Sequence, residues 1–185
     1  MSFSGPGLWY ATRAAGLVTM LLLTASTALG VLTAARAGNS DRWPRFVVIG
    51  LHRNIALLAL AFLTLHVGTT VVDTYTSIRI QDAVVPFLNG YHRFWLGLGA
   101  IACDLFIILI VTSLLRHRIR PKVWRAVHWA GYLCWPVAML HGLGIGTDTG
   151  RDWVFYLTIV CCCAVAVAVI VRIGQQVGPA RRSVP

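Results

Sequence analysis

The chain has 185 residues, of which 57% are hydrophobic and only 12% are charged, and its formal net charge is +10. A soluble globular domain carries about a quarter charged residues, so this composition excludes a soluble protein and indicates an integral membrane protein. The basic residues are concentrated in a few polar segments. The net charge therefore marks membrane orientation and does not indicate a nucleic-acid-binding protein.

Five apolar stretches are long enough to cross a bilayer as helices, which requires roughly 20 residues each. Short polar segments separate them, and no linker or second domain is evident. We therefore predict one all-α, polytopic membrane helix bundle over residues 1–185. The N-terminus lacks the basic start and cleavage site of a secretory signal peptide, so we expect the first span to be retained. The predicted spans cover residues 9–35, 47–72, 93–115, 123–146 and 153–172.

The basic residues are unevenly divided between the two sides of this predicted bundle. Twelve of the sixteen follow the first span, the third span or the last span. The positive-inside rule places that side in the cytoplasm, so we predict an external N-terminus and a cytoplasmic C-terminus. The second and fourth spans then run parallel, from the cytoplasm outwards. The twelve residues are Arg36, Arg42, Arg45, Arg53, Arg116, Arg118, Arg120, Lys122, Arg125, Arg172, Arg181 and Arg182.

Two of the predicted spans carry a histidine near each end. His52 and His66 are 14 residues apart in the second span, and His128 and His141 are 13 apart in the fourth. At a rise of 1.5 Å per residue these spacings correspond to about 21 and 19.5 Å along the helix axis. Because the spans are parallel, His52 and His128 are predicted at one depth near the cytoplasm. His66 and His141 are predicted at a second depth near the exterior.

Paired imidazoles at two depths indicate a function, because ionisable side chains inside a membrane are costly. A haem iron with one axial imidazole above its plane and one below would produce this arrangement. Glycines flank the histidines and are predicted to make room for a flat ring, although glycine is also common where membrane helices touch. These glycines are Gly50, Gly68, Gly131 and Gly142.

The rotation between the histidines differs in the two spans. On an ideal helix, 14 residues leave His66 about 40° from His52, whereas 13 leave His141 about 140° from His128. Pro136 lies between the second pair and is predicted to kink or rewind that span.

The two histidine pairs on parallel helices resemble the ferric reductase-like transmembrane domain, a superfamily of ferric reductases, NADPH oxidases and the haem subunit of the periplasmic methionine sulfoxide reductase. The segments HRNIALLALAFLTLH and WRAVHWAGYLCWPVAMLHGLG look most like the small bacterial members. The resemblance implies a b-type cytochrome of the bacterial plasma membrane, in which two stacked haem b groups carry electrons across the bilayer. It also implies that His52 and His128 ligate the cytoplasmic-side haem iron and that His66 and His141 ligate the outer one.

The chain departs from this family pattern in three ways. Many relatives have six spans, whereas five are predicted here. The oxidases continue into flavin and nucleotide domains, whereas only a short tail follows the last span. We therefore expect a haem-binding subunit of an oxidoreductase, with a cytoplasmic flavoprotein reductase or a membrane quinol as its donor. The external acceptor would be a ferric chelate, an exported flavoprotein or a sulfoxide reductase. NADPH oxidases also carry a histidine four residues after the outer ligand, where this chain has Thr70, so oxygen reduction is not expected.

Haem propionates are anionic and need cations or hydrogen-bond donors. Arg53 and Arg125 are candidates at the cytoplasmic level, and Arg13 and Arg93 at the outer level, although each could equally be an interfacial anchor. No CxxCH motif is present, so a covalently attached c-type haem is not expected.

The alternative interpretation is a membrane transporter whose histidines bind metal ions or relay protons. Such a protein is expected to place histidines and acidic residues alternately along one path. Asp104 is the only acidic residue well inside a predicted span. The histidines lie at two levels about 20 Å apart, which favours haem.

Overall fold

The structure is a computed structural model that describes residues 6–34, 39–40, 43–73, 77–146 and 150–177. Within this part of the chain the architecture is helical, apart from two short strands. The helices are α1 (Pro6–Ala34), α2 (Arg45–Val72), α3 (Ile80–Val84), α4 (Arg93–Leu114), α5 (Pro121–His128), α6 (Gly131–Ile145) and α7 (Asp152–Val177). The strands β1 (Asn39–Ser40) and β2 (Trp43–Pro44) pair antiparallel between α1 and α2.

Four of the described helices are long and apolar enough to cross a membrane, and they correspond to the first, second, third and fifth predicted spans. Large apolar side chains cover their outer faces. Val160 and Ile170 of α7, for example, are 61% and 67% exposed. Such a surface would be insoluble in water but suits contact with lipid. The four candidate spans are Gly7–Ala34, Arg45–Val72, Arg93–Leu114 and Asp152–Gly174.

The predicted fourth span consists of two shorter helices, α5 and α6, joined through Trp129 and Ala130. Both joining residues keep right-handed helical dihedral angles. Three N–H groups around this junction, those of Ala130, Tyr132 and Leu133, bond to the carbonyl three residues earlier. The regular α-helix α5 therefore ends where this tighter 3₁₀ turn begins. Because neither half is long enough to span a bilayer alone, the five-span count stays a prediction.

Helix α1 packs antiparallel against α2, and α4 packs against α6. The Thr12 hydroxyl near the start of α1 donates to the Thr69 hydroxyl near the end of α2, at 2.8 Å. Ser26, in the second half of α1, lies beside His52 in the first half of α2. Helix α7 contacts α1. The bundle therefore places one supporting helix beside each of the two histidine-bearing segments.

The buried core lies midway along the bundle. Its central residues are Leu23, Ala59, Phe106, Leu109 and Cys134, contributed by α1, α2, α4 and α6. Ala59 stands seven residues from each histidine of α2. Seven residues are close to two helical turns, so Ala59 faces the same side of α2 as those histidines. Packed apolar side chains thus separate the two histidine levels.

Candidate functional site

The structure brings the four histidines together in the two predicted pairs. The ring centroids of His52 and His128 are 6.2 Å apart, and those of His66 and His141 are 6.4 Å apart. The ring planes are nearly perpendicular in both pairs, at 79° and 78°. The segments 52–66 and 128–141 therefore run in the same direction. This agrees with the parallel arrangement expected from the sequence.

Three of the histidines are anchored through Nδ1 to a backbone carbonyl of a neighbouring helix. The acceptors are Ser26 O for His52 at 2.9 Å, Thr12 O for His66 at 2.8 Å and Trp95 O for His141 at 2.8 Å. A carbonyl oxygen can only accept a hydrogen bond, so Nδ1 must carry the proton. In a neutral imidazole the lone pair then lies on Nε2, which becomes the nitrogen available to a metal.

His128 is held differently. Its Nδ1 lies 3.5 Å from the Ser113 hydroxyl, which is a long contact for a hydrogen bond. The indole ring of Trp124, one helical turn earlier on α5, stacks against its imidazole with 4.8 Å between centroids and 22° between planes. The His52–His128 pair therefore joins one carbonyl-anchored imidazole to one that is held mainly by ring stacking.

Glycines let the supporting helices approach the imidazoles closely. A Cβ atom added to Gly99 of α4 would lie 2.6 Å from His141 Nδ1 and Cε1. One added to Gly16 of α1 would lie 3.0 Å from the same atoms of His66, and one added to Gly30 would lie 3.3 Å from His52 Cε1. These contacts are too close for an ordinary side chain, so the anchoring geometry depends on glycine at the first two positions above all.

The glycines predicted to make room for a flat ring face more open space. Among the described residues, a Cβ atom added to Gly50, Gly68 or Gly142 would meet nothing within 4 Å, and one added to Gly131 would meet only Leu109 Cδ1, at 3.7 Å. That they make room for a cofactor stays a prediction. The close approaches to the imidazole rings come instead from glycines of the neighbouring helices, whose backbones hold those rings.

The winding between α5 and α6 partly offsets the unequal histidine spacings. A 3₁₀ turn advances about 120° per residue, compared with about 100° in an α-helix. The tight turn around Trp129 and Ala130 therefore overwinds the segment, which is the direction needed to bring His141 round towards the side of His128. The sequence predicted this adjustment at Pro136. The structure places overwinding before that proline, which lies inside α6.

A cavity of about 340 Å³ adjoins the second histidine pair and is lined by both His66 and His141. Arg13 also lines it, and its guanidinium carbon lies 4.1 Å from the ring centroid of Trp9. The volume falls in the range of small-molecule sites in proteins, about 300–1,000 Å³. Among the predicted arginines, Arg13 therefore lies where an anionic group bound beside His66 and His141 could reach it.

The loop between α2 and α4 covers part of this cavity, to which Ile78, Asp82 and Tyr91 contribute. Asp82 Oδ2 accepts hydrogen bonds from the Arg79 backbone N–H and from Asn89 Nδ2, both at 2.8 Å. These bonds favour the carboxylate and lower the pKa of Asp82. Polar contacts within residues 79–89 therefore hold this part of the loop beside the cavity.

The other three predicted arginines do not line the cavity. Arg93 is exposed, and its Nε donates to the Phe87 carbonyl at 2.8 Å, so it contributes to the outer loop. Arg53 and Arg125 are exposed on α2 and α5, close in sequence to His52 and His128. Their contact with propionates stays a prediction.

Sequence reasoning missed the residues that hold the histidines, yet α1 carries a signal of them. Thr12 and Ser26 are 14 residues apart, as are Gly16 and Gly30. This is the spacing of the two histidines in α2. An antiparallel neighbour that supports two histidines 14 residues apart must repeat its own contacts at that interval.

A model of the family described as ferric reductase like transmembrane component matches residues 14–145. The match spans more than two thirds of the chain and includes all four paired histidines. The protein belongs to the ferric reductase-like transmembrane family. It is therefore a multi-pass membrane protein, and its family indicates a membrane electron-transfer component. No curated protein and no solved structure matched the chain.

For this member of the ferric reductase-like family, the donor set decides which metal group suits the two sites. Each level offers two imidazoles, and among the described residues no group of three or more His, Cys, Asp or Glu side chains is arranged to hold a metal ion. A bare zinc ion in a structural site takes four protein ligands, whereas a haem iron draws four nitrogens from its own macrocycle. A site with two imidazoles therefore fits haem iron better than a bare ion.

Proposed function

We propose that the protein is a di-haem b-type cytochrome that transfers electrons across the membrane. The observation that supports this most strongly is the pairing of four imidazoles at nearly equal separations, 6.2 and 6.4 Å between centroids. Metal–nitrogen distances for imidazole are about 2 Å, and each ring centroid lies roughly 1 Å behind its nitrogen, so one metal between two coaxial imidazoles would separate the centroids by roughly 6 Å. The centroid separations of both pairs are close to this value.

His52 and His128 would hold the cytoplasmic-side haem, and His66 and His141 the outer one. When bound, each haem would supply an iron centre that is oxidised and reduced by one electron. The Nδ1–H bonds to Ser26, Thr12 and Trp95 fix the ring orientation and raise the basicity of Nε2 as a ligand. Occupation of both axial positions favours electron transfer over oxygen binding.

The apolar core between the levels would keep water out of the path. Ala59 and Cys134 are 0% and 1% exposed there. A dry, low-dielectric environment limits proton leakage and helps to set the potential of a buried redox group.

The charge distribution supports a direction of transfer. We infer that the basic loop Arg116–Arg125 and the C-terminus face the cytoplasm and that the N-terminus is external, in a five-span bundle in which α5 and α6 together form the fourth span. A cytoplasmic flavoprotein reductase or a membrane quinol would then supply electrons at the His52 level. An external ferric chelate, exported flavoprotein or sulfoxide reductase would accept them near the outer cavity. A bacterial plasma membrane is the proposed location.

A metal-ion or proton transporter is supported less well. Three of the four histidines donate Nδ1–H to a backbone carbonyl, so those imidazoles bond to the helical backbone rather than to one another. The core at Ala59 and Cys134 closes the path between the two levels. A relay would need exchangeable groups there.

Electron transfer across the membrane of proteoliposomes tests the proposal, and the assay works whichever way the protein is inserted. Vesicles contain trapped ferricyanide, which cannot cross lipid, and dithionite is added outside. Electron transfer through the protein should reduce the trapped ferricyanide, and vesicles with His52→Ala or His66→Ala should do so far more slowly. Equal rates for wild type, both variants and protein-free vesicles would contradict transmembrane electron transfer.

A further inference from the structure

We infer that Trp124 is a positioning residue of the cytoplasmic-level pair, His52 and His128. Its indole ring fixes the plane of the His128 imidazole. Its indole N–H donates a hydrogen bond to a carboxylate of the group bound between the two histidines. The inference rests on the proposed function, because haem is the group that would bring carboxylates to this place. It assigns a role to a residue that the histidine pattern alone does not identify.

The first observation is an asymmetry among the four histidines. Three of them bond through Nδ1 to a carbonyl at 2.8–2.9 Å. Among the described residues, the only hydrogen-bond partner close to His128 Nδ1 is the Ser113 hydroxyl, at 3.5 Å. Ligand histidines are normally oriented by a partner at the nitrogen that does not bind the metal. His128 therefore needs another source of orientation.

The second observation is that Trp124 provides it. Trp124 and His128 are four residues apart on α5, so their side chains lie on the same face of the helix. Their rings are nearly parallel, 22° apart, with 4.8 Å between centroids. Pro121 stands at the start of α5, where its fixed φ favours the helix that carries both residues. The stack can thus hold the imidazole plane without a hydrogen bond to Nδ1.

The third observation concerns the indole nitrogen. Trp124 Nε1 is buried, and no acceptor pairs with it among the residues that the structure describes. A buried donor is costly when it has no partner, and an indole N–H can only donate. A carboxylate is a strong acceptor for such a donor, and haem carries two of them. The stacking neighbour of His128 thus brings an available donor to the level where that group would bind.

Three variants separate the two parts of the inference. Trp124→Leu removes the stack and the N–H, whereas Trp124→Phe keeps an aromatic ring and removes only the N–H. Trp129→Phe is the matched control, because Trp129 is 60% exposed and contacts Tyr132 and Arg172 instead of the paired histidines. The measurements are haem content, the low-spin electron paramagnetic resonance (EPR) spectrum and the two midpoint potentials. The outer haem component reports whether each variant has folded.

We expect Trp124→Leu to lose the cytoplasmic-side haem, or to lose the EPR signal that perpendicular imidazoles give that haem. The EPR signal and the content of the outer haem should stay unchanged. Trp124→Phe should keep both haems but lower the potential of the cytoplasmic-side haem, because a carboxylate without its donor keeps more negative charge and favours ferric iron. Trp129→Phe should match wild type. An unaltered cytoplasmic-side spectrum in Trp124→Leu would overturn the stacking role, and an unaltered potential in Trp124→Phe would overturn the N–H role. Wild-type protein without haem would instead refute the proposed function.

Discussion

The imidazole planes of His66 and His141 are 78° apart, with 6.4 Å between the ring centroids. Each ring is fixed at this angle by its own bond to a helix backbone, at Thr12 and Trp95. The near-perpendicular arrangement is therefore set by two different helices, α1 and α4, rather than by contact between the two rings.

This angle predicts the EPR spectrum of the oxidised protein. Parallel axial imidazoles split the two iron d orbitals that interact with the ligand π systems, whereas perpendicular imidazoles leave them nearly equal in energy. We therefore expect strongly anisotropic low-spin ferric signals from both levels, since the inner pair has a similar angle of 79°. A well-resolved rhombic spectrum, typical of parallel imidazoles, would contradict the observed geometry.

Removal of single histidines should act on one level at a time. His52→Ala or His128→Ala should remove the cytoplasmic-side haem and spare much of the outer one, and His66→Ala or His141→Ala should do the reverse. Redox-difference spectra of purified variants measure both components.

The exposed His117, which lies in the basic loop and has no assigned role, provides the control for these variants. His117→Ala should behave as wild type. If His52→Ala and His141→Ala removed the same spectral component, the pairing would be wrong.

A single methyl group on α4 should disturb the outer level. Gly99→Ala would place Cβ 2.6 Å from the His141 ring, which is itself bonded to α4 at Trp95. Overpacking of this kind costs about 1–3 kcal/mol, so we expect outer-haem retention to weaken roughly 5- to 150-fold. Haem content after gel filtration gives the measurement.

The control for this prediction is Gly68, a helical glycine close to His66 in sequence that does not line the cavity. Among the described residues, an added Cβ at Gly68 meets nothing within 4 Å, so Gly68→Ala should leave the outer haem in place. Equal losses in Gly99→Ala and Gly68→Ala would show that helix propensity, rather than the close approach of α4, is responsible.

The sequence predicted the features that depend on periodicity along one helix. Four spans follow from apolar length, and the parallel pairing of His52 with His128 and of His66 with His141 follows from the positive-inside rule and the near-equal spacing. These are properties of single segments and of their direction. They require no knowledge of which side chains touch.

The features that depend on contact between helices were not predicted. Gly99 and Trp95 act on His141 across a helix interface, and neither follows an obvious pattern within α4. The division at Trp129 and Ala130 was also missed, because apolar length alone does not distinguish a regular helix from one with a 3₁₀ turn. On α1, however, the repeat of Thr12 and Ser26 at the histidine interval could have identified the supporting helix.

Membrane orientation is tested by reporter fusions. A reporter after Pro185 should be cytoplasmic and one at Met1 external, because twelve basic residues mark the inner side. Enzymatic reporters that are active on only one side of the membrane give the measurement. Both ends on the same side would mean an even number of spans, and α5 and α6 would then not cross the membrane together.

The most direct test of the central claim is the haem content of the purified wild-type protein, expressed with haem supplied and measured against protein concentration. Two opposed imidazole pairs predict a b-type spectrum and close to two haems per chain, both reducible by dithionite. A preparation without haem, or one that binds a bare metal ion at the histidines instead, would contradict the account.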